Sequence, residues 1–173
     1  MRIETERLAI RDFNASDAND LYEILGDAET MQNCEPAYDF ERTRKFLEEF
    51  CIAKKGAFAA ALKDSGKVIG YILFNSWGDG VYEIGWIFNK KYWRQGYAYE
   101  ACCELMTYGF REMNVRKVVA EAIDAEKSVP LMEKLGMKCE GIQRSREKDC
   151  LGNRADLYLY GILKSDVSQK NRL

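Results

Sequence analysis

The sequence contains no histidine. That absence removes Ser-His-Asp and Cys-His nucleophilic catalysis, the HExxH zinc site, and imidazole acid–base chemistry near neutral pH. Chemistry must come instead from Asp, Glu, Cys, Tyr, Ser or Lys, from backbone amides, or from a cosubstrate. Proline is scarce, with two residues, and no Pro-, Gly- or Ser-rich linker or internal repeat divides the chain. No apolar run approaches the ~20 residues that cross a bilayer. The opening "MRIETERLAIRDF" lacks the apolar core of a secretory signal, so a cytoplasmic location without membrane partners is expected. Neither sign of charge is in excess. With 26 basic and 28 acidic side chains the formal net charge is -2, which argues against a nucleic-acid partner held by a general positive field. The cysteines Cys34, Cys51, Cys102, Cys103, Cys139 and Cys150 form no CxxC pair. They read as reduced thiols, and neither a disulfide framework nor a metal site is expected.

What is present reads as one domain over residues 1–173, long enough for a full core, with 165–173 a frayed tail. "RLAIRDF" alternates as a strand, and Ser16 is placed to cap a helix over "DANDLYEILG". "FERTRKFLEEFCIAKK" has helical spacing. "GAFAAALKDSGKVIGYILFN" reads as a hairpin turning at "DSGK", followed by the strand "VYEIGWIFN". A helix from Tyr97 to about Met113 follows, then the strand "KVVAEAI" and a short helix "SVPLMEKLG" stopped by Gly136. A closing hairpin turns at "CLGN". The order β-α-α-β-β-β-α-β-α-β-β predicts an α+β fold with a mixed sheet.

The segment "YWRQGYAYEACCELMTYGF" joins a strand to a helix through Gly96. A helix start exposes unpaired N–H groups, and a glycine there lets an anion approach where a Cβ would obstruct it. Turn geometry alone is the other reading. No GK[ST] follows, so this is not a Walker A loop, and no GxGxxG fingerprint is present.

"YEIGWIFNKKYWRQGYAYEA" resembles the acyl-CoA-binding segment of GNAT-type N-acetyltransferases, in the RimJ/RimL-like branch. "TERLAIRDF", "GKVIGYI", "SVPLMEKLGMKCEG" and "GNRADLYLYGILKSD" agree in order across nearly the whole chain. The resemblance implies a mostly antiparallel central sheet with helices on both faces and a splayed acyl-CoA cleft. It also implies acetyl-CoA as cosubstrate and an amine acceptor; a monomer or homodimer is expected, with nothing in the sequence to choose between them.

The family's pyrophosphate-wrapping pattern, Gln/Arg-x-x-Gly-x-Gly/Ala, falls on Trp93, Arg94, Gln95, Gly96, Tyr97 and Ala98. Trp93 departs from it, which leaves phosphate binding to backbone N–H groups with Arg94 beside them. By the same resemblance, the backbone of Trp86, Ile87 and Phe88 pairs with the pantetheine arm. Glu83, in "VYEIGW", is the implied base for acetyl transfer to a primary amine, with a solvated strand carboxylate as the other reading. Ser128 matches a serine proposed to hydrogen-bond the leaving thiolate; helix capping is its other role. Ala125 stands where the family has Asn, and Met132 where many members place an acidic Tyr. A non-catalytic acyl-CoA-binding protein therefore stays open beside the enzyme. Tyr38 and Phe40 are candidates for the acceptor pocket or for helix packing. Trp77, Trp86, Tyr71 and Phe74 are expected in core or cleft wall.

Overall fold

Residues Ala57 to Leu62 alternate strictly, and the two sets of side chains enter different cores. Ala57, Ala59 and Ala61 join one cluster, and Phe58, Ala60 and Leu62 the other. This two-sided burial defines the architecture. The structure, a computed structural model, describes residues 1–170. Its strands are β1 (Arg2–Glu4), β2 (Leu8–Asp12), β3 (Ala57–Leu62), β4 (Val68–Gly78), β5 (Val81–Phe88), β6 (Lys117–Ala122), β7 (Lys138–Lys148) and β8 (Arg154–Leu163). They form a single 8-stranded sheet in the order β1-β2-β3-β4-β5-β6-β8-β7.

Helices cover both faces. α1 (Ala18–Leu25) and α2 (Phe40–Phe46) press Leu21, Ile24, Leu25 and neighbouring Leu47 onto Val68 and Tyr71. On the other face, α3 (Tyr97–Glu112) and α4 (Ser128–Lys134) bury Leu105, Phe110 and Met132 against Ile72, Phe74 and Ile84. Burial of this kind contributes about 1.5–3 kcal/mol for each large apolar side chain. The mixed sheet and the helices on both faces agree with the fold expected from the sequence.

Some local expectations are corrected. Asn14, not Ser16, caps the first helical turn: its side chain accepts from the Ser16 N–H, and Asp17 reaches back to the Asn14 N–H. The second helix is α-helical only to Phe46 and continues as a π-helical turn over Leu47–Ala53. Strand β1 was not foreseen; three residues are too few to show a period. The tail expected from residue 165 is helical as α5 (Lys164–Lys170). Asp166 accepts from the Leu163 N–H at 3.0 Å and pairs with Lys138 at 2.8 Å. The remainder of that tail, 171–173, lies outside the described residues. Trp77 is 56% exposed, whereas Tyr71 and Phe74 are core. Among the described residues no helix is long and apolar enough to cross a membrane.

Candidate active site

Strands β5 and β6 form the one parallel pair in the sheet, and they stay together for only three residues. Val81 pairs with Lys117, Tyr82 with Val118 and Glu83 with Val119; beyond that point the strands part. β5 continues to Phe88 paired only to β4, and β6 continues to Ala122 paired only to β8. The gap opens into a cavity of about 560 Å³. Its walls are β5 from Ile84 to Phe88, the turn before α3, the end of β6, and α4. Glu29, Thr30, Asn33 and Cys34 from the α1–α2 connection close its far side.

The turn side leaves helix donors uncovered. Arg94 (φ 58°) and Gly96 (φ 84°) are both left-handed, and Gly96 opens α3 with no side-chain cap. The first N–H groups of α3 therefore have no intrahelical acceptor and point outward with the positive end of the helix dipole. A Cβ at Gly96 would meet only Arg7 Nη2, at 3.4 Å, so the space before the helix is open. Arg7 is committed elsewhere, donating to Glu100 at 2.7 Å and to the Gln95 carbonyl at 3.0 Å while lying over the Tyr97 ring. Desolvation alone would raise the Glu100 carboxyl, but hydrogen bonds from Thr5 and Arg7 outweigh it and hold it below the usual carboxylate range. This cluster clamps β2 to the first turn of α3.

Most residues expected at the cofactor site lie on the cavity wall: Trp86, Ile87, Phe88, Arg94, Gly96, Tyr97 and Ala98. Gln95 does not; its amide donates to the Lys91 carbonyl at 3.0 Å and closes the turn. Trp93 lines the cavity, and its indole N–H donates to the Phe88 carbonyl at 2.7 Å. That bond removes one acceptor from the β5 edge expected to receive a pantetheine arm.

The carboxylates are arranged differently from the sequence expectation. Side chains alternate along both strands: Ile84, Val118 and Ala120 enter the α3 core, so Glu83, Gly85, Val119 and Glu121 share the opposite face. Glu121, not Glu83, is in the cavity wall. Glu83 sits at the apex of the fork and accepts from the Trp77 indole at 3.2 Å. Extending the register brings Gly85 opposite Glu121, and the Leu73 side chain packs over the glycine, where a Cβ would meet it at 3.1 Å. Desolvation and the nearby carboxylates of Glu83 and Glu147 push the Glu121 carboxyl above its ordinary value, against a smaller opposite pull from Arg146. A lone carboxylate in the otherwise apolar "VVAEAI" was the available signal for this residue.

Ser128 is on the cavity wall, and its hydroxyl makes no hydrogen bond among the described residues. It does not cap α4. The helix has no side-chain cap; Asp124 instead closes the turn before it, accepting from the Glu126 N–H at 2.9 Å and the Lys127 N–H at 2.8 Å. Asp124 also takes the Asn33 amide at 2.9 Å, which ties the α1–α2 connection to the far wall. Met132 is fully buried in the core, so its position on α4 does not reach the cavity. Tyr38 is buried against Phe46, Phe40 is exposed, and neither lines the cavity. Cys34 does, but desolvation and the carboxylates of Glu35 and Asp124 push its thiol up, away from the thiolate that covalent catalysis requires. Among the described residues no group of three or more Cys, Asp or Glu side chains is placed to hold a metal ion.

Comparison with known proteins bears on this geometry at two levels. At the level of fold, a crystal structure of an acetyltransferase (GNAT family) from Bacillus anthracis superposes with a TM-score of 0.87. It is 33% identical and covers 95% of this chain and 99% of its own. RimL, a ribosomal-protein alpha-N-acetyltransferase solved in complex with coenzyme A, superposes with a TM-score of 0.81 at 18% identity, covering 94% and 98%. At the level of sequence, an uncharacterized N-acetyltransferase, YnaD of Bacillus subtilis, is 34% identical over 96% of this chain and 99% of its own length. Residues 7–138, which run from Arg7 through the fork, the glycine turn and α4, match the family described as the acetyltransferase (GNAT) domain. The open fork and the glycine turn thus have a family setting: this chain belongs to the GNAT acetyltransferases.

Proposed function

We propose that this protein is an acetyl-CoA-dependent N-acetyltransferase acting on a primary amine. The observation that carries the reading is the parting of β5 from β6 after Glu83 and Val119, which opens a ligand-sized cavity between a helix N-terminus and a carboxylate. The cosubstrate's phosphates fit the open turn at Gly96, where a Cβ would stand in their way. Its arm fits along the free edge of β5 at Trp86 and Ile87. The acceptor then enters from the α1–α2 side, the face on which Glu121 lies.

Glu121 holds the proton lost by the attacking amine. The amine nitrogen forms a bond to the thioester carbonyl carbon, the C–S bond breaks, and the thiolate departs with CoA. Ser128, with its hydroxyl uncommitted, is placed to donate to that sulfur. A thiol with pKa near 8.5 leaves readily enough that no stronger acid is needed. A carboxylate is a weak base, so acceptors already partly neutral are favoured. An α-amine near pKa 8 needs roughly 3 kcal/mol less help than a Lys side chain near 10.4. This favours protein or peptide N-termini over lysine side chains.

The test is release of free thiol from acetyl-CoA across a panel of peptides, amino acids, polyamines and aminoglycosides. Acceptor-dependent release that falls about 10²-fold or more in Glu121→Gln supports the proposal. Buried Met132 puts no acid at the position where many family members have Tyr, which favours a second reading as a non-catalytic acyl-CoA binder. Tight acetyl-CoA binding with no release for any amine would select that reading.

A further inference from the structure

We propose that Lys127, from the wall opposite the glycine turn, supplies a cationic contact to the CoA pyrophosphate. The inference rests on the acetyl-CoA reading above and assigns a residue that neither the turn nor the carboxylates account for.

The turn is short of positive charge. Between Trp93 and Ala98 only Arg94 is charged. The polar groups of Trp93 and Gln95 are spent on the Phe88 and Lys91 carbonyls. Arg7, the nearest other cation to Gly96, is held by Glu100 at 2.7 Å. A pyrophosphate diester brings two negative charges to this place, and a helix dipole offsets only about half of one.

Lys127 is positioned to make up the difference. It lines the same cavity, and its Nζ stands over the Trp93 ring, 4.4 Å from the centroid, which puts an ammonium directly beside the turn. Its nearest carboxylate, Asp124, is 3.6 Å away and already accepts from two main-chain N–H groups and the Asn33 amide. The lysine charge is therefore only partly offset. Trp93 also has a use: its face holds the lysine extended across the cleft, so less side-chain freedom remains to be lost when the anion arrives.

The experiment is calorimetric titration of the full chain with CoA, 3′-dephospho-CoA and pantetheine, using the native protein and Lys127→Met, Lys127→Arg and Lys134→Met. Lys134 lines the same cavity over Tyr99 and serves as the charge control. Lys127→Met should weaken CoA and dephospho-CoA alike by about tenfold, the order of one charge-assisted contact. Pantetheine affinity should not change, Lys127→Arg should restore most of the loss, and Lys134→Met should cost clearly less. Equal affinity of native protein and Lys127→Met would overturn the inference alone. A loss confined to CoA would move the contact to the 3′-phosphate, and an equal loss in Lys134→Met would reduce it to a diffuse field; either defeats it. Failure of the native protein to bind CoA at all would remove both the inference and the acetyl-CoA reading. Unchanged melting temperatures certify that each variant is folded.

Discussion

Glu121 and Glu83 are on one face of the sheet at the fork, and their relation has a measurable consequence. A base works when deprotonated, so under the proposed mechanism the acid limb of the kcat/KM profile follows the Glu121 carboxyl, which desolvation and the carboxylates of Glu83 and Glu147 hold above the ordinary range. Glu83→Gln removes one of the negative charges that raises it. The carboxyl then ionises at lower pH, and the acid limb should move to lower pH with little loss of plateau rate. A profile that stays in place while the plateau collapses would instead make Glu83 the base. The sequence pointed to Glu83 because "EIGW" carries the resemblance. It could not reveal that Glu121 faces the cavity, because that depends on where two strands distant in sequence stop pairing.

At the scale of elements, the turn into α3 was the most legible part of the chain. Gly96 was expected to admit an anion, and its φ of 84° adds a second reason for glycine, since a side chain there is strained whatever the space. Gly96→Val should therefore cost about 1–2 kcal/mol of stability from the left-handed backbone. It should also weaken CoA binding by more than that strain explains, as read by thermal melts beside titrations. Equal losses would leave the glycine a purely conformational role. The long periodic elements, α3 and the β3–β4 hairpin, were likewise readable, because one buried face writes a pattern into the sequence. What stayed hidden is local but too short to write a period into the sequence: the π-helical widening after Phe46, the brief strand β1, and the turn that Asp124 closes ahead of α4.

On the scale of the whole molecule, the sheet is two antiparallel halves, β1–β5 and β6–β8, joined by three parallel residue pairs and by the helices that cross between them. Each half has its own ladders, so the weakest cooperativity lies at the seam. CoA bridging the fork should slow amide exchange in β5 and β6 around it, more than in β2 or β3. Uniform slowing across the sheet would argue that the ligand stabilises the fold without spanning the fork.

The order of strands also governs when the site can exist during synthesis. β6 leaves the ribosome soon after α3, yet its long ladder is with β8, near the far end of the chain. Until Arg154–Leu163 has been made, the strand bearing Glu121 has only three partners to hold it. A nascent chain can thus complete the glycine turn well before it has a second wall. A chain ended before Arg154 would lack β8 altogether and leave the strand bearing Glu121 with only its three β5 pairs, however much of the first core had folded.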